Sequence, residues 1–255
     1  MPFKYKNIKE EKTHKVTHNK FMRLDVLLCE NGYVDSREKA KYLIKKGCVV
    51  VNNNIILKPS KQVKEGSLIV ITENFEYVGR GGYKIDGAVK HFGIDFNEKI
   101  VADVGCSTGG FTDYALRHGA KKVYAIDIGD VLHDVLRNDK RVIYIPNSDA
   151  RKIAMLAEKI NICLIDITFS PIEDILLPAK NWLTDHGMVL GLIKPPFEIE
   201  NVKKVNDYEE SLSIAKNVAD WAARNGYIVN GIFASELKGK TSKQQEFFIC
   251  LTKGR

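Results

Sequence analysis

The stretch Val101–Gly129, VADVGCSTGGFTDYALRHGAKKVYAIDIG, constrains this chain more than any other. VADVG is a short apolar run that reads as a buried parallel strand. Gly105, Cys106, Ser107, Thr108, Gly109 and Gly110 then make a turn of small residues. Phe111–His118 reads as a helix, and KKVYAID as a second strand ending on Asp127. Strand, tight loop, helix and strand, with an acid about twenty residues past the loop, is the layout of a ribose-binding crossover unit. Glycines let the backbone approach a ligand closely. A carboxylate at the end of the second strand can accept hydrogen bonds from ribose hydroxyls.

The loop departs from the phosphate-binding patterns. G-x-G-x-x-G needs a glycine at 107, where Ser107 stands, and nothing matches G-x-x-x-x-G-K-[ST]. A loop without an anion cradle suits a nucleoside that lacks phosphates, and S-adenosylmethionine is the common one. The same loop would also serve as a plain turn in any α/β domain. The expected cofactor contacts are Asp103, Gly105, Cys106, Ser107, Thr108, Gly109, Gly110, Phe111, Asp127 and Ile128, with Asp149 and Ala150 after a third strand.

Charge divides the chain. Residues 1–75 carry 15 Lys/Arg against 8 Asp/Glu, whereas residues 76–255 carry 24 of each, so the whole net charge of +7 lies ahead of the cofactor unit. That asymmetry suggests a polyanion-binding module joined to an enzyme, or else a solvated basic surface. The five cysteines are scattered without a C-x-x-C, which argues against a zinc site and suits a reducing cytosol. No apolar run reaches the roughly 18 residues of a membrane span, and no secretory signal is read, so a cytoplasmic location is expected.

Residues 1–20 hold six lysines and two histidines and read as a basic flexible arm. Residues 21–74 read as a small α+β domain. MRLDVLLCENG has helical spacing at Leu24, Leu27 and Leu28 and ends at Gly32, and DSREKAKYLIKKG follows as a second helix capped by Asp35 or Ser36 and stopped by Gly47. CVVVNNNIILKPSKQVKEGSLIVI reads as short strands around an Asn-rich turn. R-L-D-x-L-L at Arg23–Leu28, S-R-E-K-A at Ser36–Ala40, G-x-V-x-V-N at Gly47–Asn52 and K-P-S-K at Lys58–Lys61 resemble the S-four-type RNA-binding module. The resemblance implies that Arg23, Ser36, Arg37, Lys39 and Lys41 face RNA phosphates. Two short helices with a basic face can straddle a duplex backbone, reading shape more than sequence.

Residues 75–80 read as a linker, and 81–255 as one catalytic domain opened by a helix over GGYKIDGAVKHFG. After Asp127, GDVLHDVLRNDKRV reads as a helix with apolar Val131, Leu132, Val135 and Leu136. RVIYIPNSDAR gives a third strand ending near Asp149, which could bond an adenine amino group or cap a helix beginning near Ile153. NICLIDITFSP is a fourth strand ending on Asp166, and HGMVLGLIKPPFE a fifth ending on Lys194, with Pro195–Phe197 as a stiff loop. Residues 207–225 form an amphipathic helix, and GYIVNGIFAS and QQEFFICLTK close the sheet. The fold expected is α/β, a Rossmann-like, mostly parallel sheet with an antiparallel last strand.

Ligands of open α/β sheets lie beyond the carboxyl ends of the parallel strands. Asp127, Asp166 and Lys194 fall at such ends. An antiparallel last strand would bring Glu246 to the same edge, and Lys84 could reach over from the leading helix. Two ammonium groups and two carboxylates suit methyl transfer to a sugar hydroxyl, where an oxygen must be aligned and a proton removed. The bland alternative is a pair of surface salt bridges.

V-G-R-G-G-Y-K at Val78–Lys84, D-V-G-C-S-T-G-G-F-T-D at Asp103–Asp113, A-K-K-V-Y-A-I-D-I-G at Ala120–Gly129, L-R-N-D-K-R-V, I-D-I-T-F and I-K-P-P-F-E resemble, in order, the TlyA family. Members of that family are S-adenosylmethionine-dependent ribosomal RNA 2′-O-methyltransferases with an FtsJ-like catalytic domain, and some carry the name hemolysin. The resemblance implies a catalytic set of Lys84, Asp166, Lys194 and Glu246, with Lys194 central to proton removal. It implies a cytidine ribose in the RNA of one or both ribosomal subunits as target. No metal site is expected, and a monomer is the expected state. Ile167–Pro171 departs from the family's serine-rich run, and SELKGKTSKQQEFF departs from its last loop at Glu236 and Gln244. A non-catalytic RNA-binding protein and a membrane-active hemolysin are the other readings.

Overall fold

A computed structural model describes residues 20–45, 48–52, 54–71, 77–168, 170–199, 205, 207–236 and 244–254. The arm over 1–19, the helix stop at Gly47 and linker residues 75 and 76 lie outside the described residues. The chain divides into two compact units, 1–74 and 75–255.

In the first unit, β1 (Phe21–Arg23) runs into α1 (Leu24–Glu30), followed by α2 (Arg37–Lys45), β2 (Val49–Val51), β3 (Asn54–Ile55), β4 (Gln62–Lys64) and β5 (Ile69–Ile71). Leu24, Leu27 and Leu28 of α1 and Ala40, Leu43 and Ile44 of α2 are buried, as their helical spacing predicts. Helix spacing overreaches at its start. Met22 and Arg23 are extended, because β1 pairs with β4 through Met22 and Val63. The helix begins at Leu24, whose N–H donates to Lys61 O at 2.8 Å, while Asp25 N–H donates to Pro59 O at 3.0 Å. The K-P-S-K segment therefore caps α1, satisfying donors that the helix itself cannot. Strand β2 lies between β3 and β5, both antiparallel to it.

The second unit comprises α3 (Arg80–Phe92), β6 (Ile100–Val104), α4 (Gly110–Arg117), β7 (Lys122–Ile126), α5 (Asp134–Arg137), β8 (Val142–Ile145), β9 (Ile160–Ile165), α6 (Glu173–Trp182), β10 (Leu183–Ile193), α7 (Tyr208–Arg224), β11 (Tyr227–Ala234) and β12 (Phe247–Lys253). Its sheet has the order β11-β12-β10-β9-β6-β7-β8. β12 alone runs opposite to the common direction of the other six strands in this sheet. Alternate strand residues feed two apolar layers. One packs Ala102, Val104 and Ile165 with Trp182 of α6 and Val218 of α7. The other packs Val101, Ile162 and Leu164 with Ile85 of α3 and Phe111 and Tyr114 of α4. Burial on both faces explains the near-continuous apolar runs of β6, β7 and β9.

Three local expectations change. The long helix after Asp127 shrinks to α5, because His133 is extended and its Nδ1 caps Val135 N–H at 3.3 Å. Leu132 and Leu136 are buried, whereas Val131 and Val135 are exposed. No helix begins at Ile153; a single 3-10 turn covers Ala150–Lys152, Ile153 is extended, and its carbonyl accepts from Trp182 Nε1 at 3.0 Å. Strand β8 stops at Ile145, four residues before Asp149. Helix α6 is continuous through Pro178.

Candidate active site

Loop 105–110 is shaped by close approach. Gly105 has φ +79°, and a Cβ there would lie 2.5 Å from the Asp166 carbonyl oxygen. Gly109 has φ +97°, and its Cβ would meet Leu136 at 2.2 Å. Such left-handed positions with no room for a side chain require glycine. Asp127 follows β7 directly. Its Oδ2 accepts from Ser107 N–H at 2.8 Å and its Oδ1 from Gly129 N–H at 2.7 Å. The carboxylate is thus aimed across the loop, and Ile128 beside it is 73% exposed. Phe111, Cys106 and Ala150 are buried, and burial pushes the Cys106 thiol far up, leaving it inert as a nucleophile. Asp149 caps the 3-10 turn through Arg151 N–H at 3.1 Å and holds the Arg151 guanidinium.

Beneath the loop, Asp103 is fully buried. Thr112 Oγ1 donates to its Oδ2 at 2.6 Å, while its Oδ1 has no partner among the described residues. Burial outweighs the Thr112 bond and pushes the Asp103 carboxyl up to about 7. A glycine-lined loop with no Lys or Arg, one fixed acid and one unsatisfied buried acid fits a ligand with a ribose and a cationic portion. S-adenosylmethionine has both. Asp127 would receive the ribose, Ile128 would flank the base, and Asp103 would face the positive end.

The turn Val78–Gly82 lies on this loop. A Cβ on Gly110 would stand 2.9 Å from Gly81 Cα, and one on Gly79 3.0 Å from Thr108 Oγ1. Val78 N–H donates to Asp113 Oδ2 at 2.7 Å, fastening the turn to α4. Helix α3 then carries Lys84 to the carboxyl edge of the sheet. Asp166 and Lys194 are the first residues after β9 and β10, and Glu246 is the residue before β12. Lys194 Nζ stands 2.5 Å from Asp166 Oδ1. Lys84 Nζ stands 2.8 Å from Glu246 Oε2 and 4.0 Å from Asp166 Oδ2. None of the four side chains is more than 22% exposed. The four charges cancel in a site sheltered from bulk water, where an attacking oxygen and its proton can be held by ammonium and carboxylate groups. Among the described residues no group of acids, histidines or cysteines could hold a metal ion, and no helix is long and apolar enough to cross a membrane.

The predicted RNA-facing residues lie in the first unit. Arg23 Nε and Nη2 donate to Asp25 at 2.9 and 3.0 Å, and Arg37 Nη2 donates to the same carboxylate at 2.9 Å. The Arg23 hydrogen bonds hold Asp25 down at about 2. Lys39 pairs with Asp35 at 3.3 Å and Lys41 with Glu38 at 2.9 Å, and Ser36 Oγ accepts from Lys39 N–H. Sequence reasoning missed Asp25 and Thr112. Asp25 was visible as an acid among the buried leucines of α1, a place where a charge persists only when paired.

Residues 77–253 match the FtsJ-like methyltransferase family, and residues 22–69 match the S4 domain. The chain is 40% identical to Hemolysin A of Brachyspira hyodysenteriae over 70% of this chain and 76% of that one. It is 29% identical to the 16S/23S rRNA (cytidine-2'-O)-methyltransferase TlyA of Mycobacterium tuberculosis, over 90% of this chain and 89% of that one. A solved structure of a hemolysin-named protein from Streptococcus thermophilus superposes with a TM-score of 0.71 at 31% identity, covering 93% of this chain and 90% of that one.

Proposed function

This chain belongs to the FtsJ-like methyltransferase family, and we propose that it methylates the ribose 2′-hydroxyl of a cytidine in ribosomal RNA. The observation that carries the reading is the cluster of Lys84, Asp166, Lys194 and Glu246 at the carboxyl edge of the sheet, beside a loop suited to S-adenosylmethionine. That cofactor supplies a methyl group already activated on its sulfonium. With the cofactor bound, the proton leaving the attacking hydroxyl would pass to Lys194 in its contact with Asp166, while the methyl group would move from the cofactor's sulfur to the hydroxyl oxygen. Asp166 orients the Lys194 nitrogen through their contact. Lys84, held by Glu246, holds the attacking oxygen in line with the methyl group.

Residues 21–74 act as the RNA-binding module, with Arg23, Ser36, Arg37, Lys39 and Lys41 toward phosphates. Residues 81–255 act as the catalytic domain, 75–80 as linker and 1–20 as a basic arm. The protein works in the cytoplasm on ribosomal subunits. The TlyA relative of Mycobacterium tuberculosis, named for cytidine-2'-O methylation of 16S and 23S rRNA, supports the choice of nucleotide and position.

Purified small and large subunits incubated with tritiated S-adenosylmethionine test the reading. The wild-type chain should label rRNA. Lys194→Ala should lower turnover by ~10²–10⁴-fold, the range for a lost general base, while cofactor binding by calorimetry persists. Full turnover in that variant refutes the mechanism.

A further inference from the structure

The catalytic pair Asp166–Lys194 lies past the end of the ladder that joins its two strands. The last paired residues of β9 and β10 are Ile165 and Gly191, so no sheet hydrogen bond sets the separation of the loops that follow. Another group does. Glu198 ends the tight turn that begins at Lys194, closed by Phe197 N–H to Lys194 O at 2.8 Å and Glu198 N–H to Pro195 O at 3.2 Å. Its Oε2 accepts from the Ile172 N–H at 3.0 Å. Ile172 is the N-cap of α6 and has no side-chain cap of its own. In a capping box that N–H is taken by a glutamate three residues into the helix; here that position is Ile175, which is buried and apolar. Glu198 supplies the missing acceptor from the neighbouring loop. The Ile172 side chain sits so close over β10 that a Cβ on Gly191 would lie 2.4 Å from its Cδ1.

We propose that Glu198 is a positioning residue for methyl transfer, tying the Lys194 turn to the start of α6 and so holding Lys194 against Asp166. The inference rests on the methyltransferase reading above. Glu198 sits in neither the cofactor loop nor the charged cluster, so its loss should leave cofactor affinity intact and reduce turnover. A displacement near 1 Å in a reacting group costs ~10²-fold. Glu198→Ala should therefore lower kcat by roughly 10–100-fold. Glu198→Gln keeps a carbonyl oxygen for the Ile172 N–H and should stay within about threefold of wild type.

The assay is label transfer to purified ribosomal subunits, with S-adenosylmethionine affinity by calorimetry and folding by circular dichroism for each variant. A kcat loss in the alanine variant with unchanged cofactor affinity, restored by glutamine, supports the assignment. Four outcomes overturn it: alanine turnover within twofold of wild type, glutamine falling as far as alanine, cofactor affinity falling in step with kcat, or an alanine variant that does not fold beside a glutamine variant that folds without activity. No label with the wild-type chain removes the methyltransferase reading and this role with it, a result distinct from those four.

Discussion

Asp103 makes the catalytic unit titrate in an unusual direction. Its carboxyl is pushed from an ordinary 3.8 up to about 7, chiefly by burial. The folded protein therefore keeps a proton over a window in which the unfolded chain has already lost it. Where the unfolded state binds fewer protons, stability falls as pH rises. The contribution is full below about pH 4 and is lost by about pH 7. At about 1.4 kcal/mol per unit, the segment from pH 5.5 to 7 amounts to about 2 kcal/mol. Asp103→Asn removes the titrating group and keeps an amide oxygen for the Thr112 hydroxyl. Denaturant unfolding at pH 5.5, 6.5 and 7.5 checks this. The chain's two tryptophans, Trp182 and Trp221, both lie in the unit spanning 75–255, so fluorescence follows that unit alone. The wild-type chain should lose stability across the series, and Asp103→Asn should lose about 2 kcal/mol less. Glu198, pushed up to about 7 by burial, slopes the same way and leaves a residual trend in the variant. Parallel slopes in the two proteins, or a wild type that gains stability toward pH 7.5, would refute the reasoning.

Gly105→Ala should place a methyl group 2.5 Å from the Asp166 carbonyl at a φ of +79°. The variant should lose about 1–2 kcal/mol from the left-handed backbone alone, together with cofactor affinity and turnover; calorimetry showing wild-type affinity would contradict the close-approach argument. Arg37→Ala should weaken RNA binding evenly across sequences and flatten the log affinity–log salt slope by about 1. It should also destabilise the 1–74 unit by about 1 kcal/mol, because Asp25 loses a charged donor. An unchanged salt slope, measured by filter binding, removes Arg37 from the phosphate-contacting set.

The fold was legible where one element answers to one physical demand. Strands β6, β7 and β9 are buried on both faces and read as apolar runs, and α7 shows its apolar face at 3.6-residue spacing. Asp127, Asp166 and Lys194 were legible for the same reason, since a polar residue closing an apolar run marks a strand's carboxyl end. Lys84 and Glu246 needed the strand order as well as the spacing. What stayed hidden depends on partners distant in sequence. Trp182 takes the Ile153 carbonyl and so prevents a helix that composition favours. Lys61 and Pro59 cap α1 from a later segment and turn Met22 into strand. Glu198 reads as an ordinary surface residue in the sequence and becomes a half-buried acceptor only when Ile172 arrives beside it.

Strand β12 is late in the chain yet interior in the sheet, lodged between β10 and β11. On the ribosome the chain emerges from its N-terminus, so β10 and β11 exist before the strand that joins them. Until residues 247–253 are made, both present unpaired edges, which invite pairing with other chains. Glu246 arrives with that same strand, so the fourth member of the charged cluster takes its place only when the sheet closes. A chain that lacks this segment has an open sheet and an incomplete cluster together.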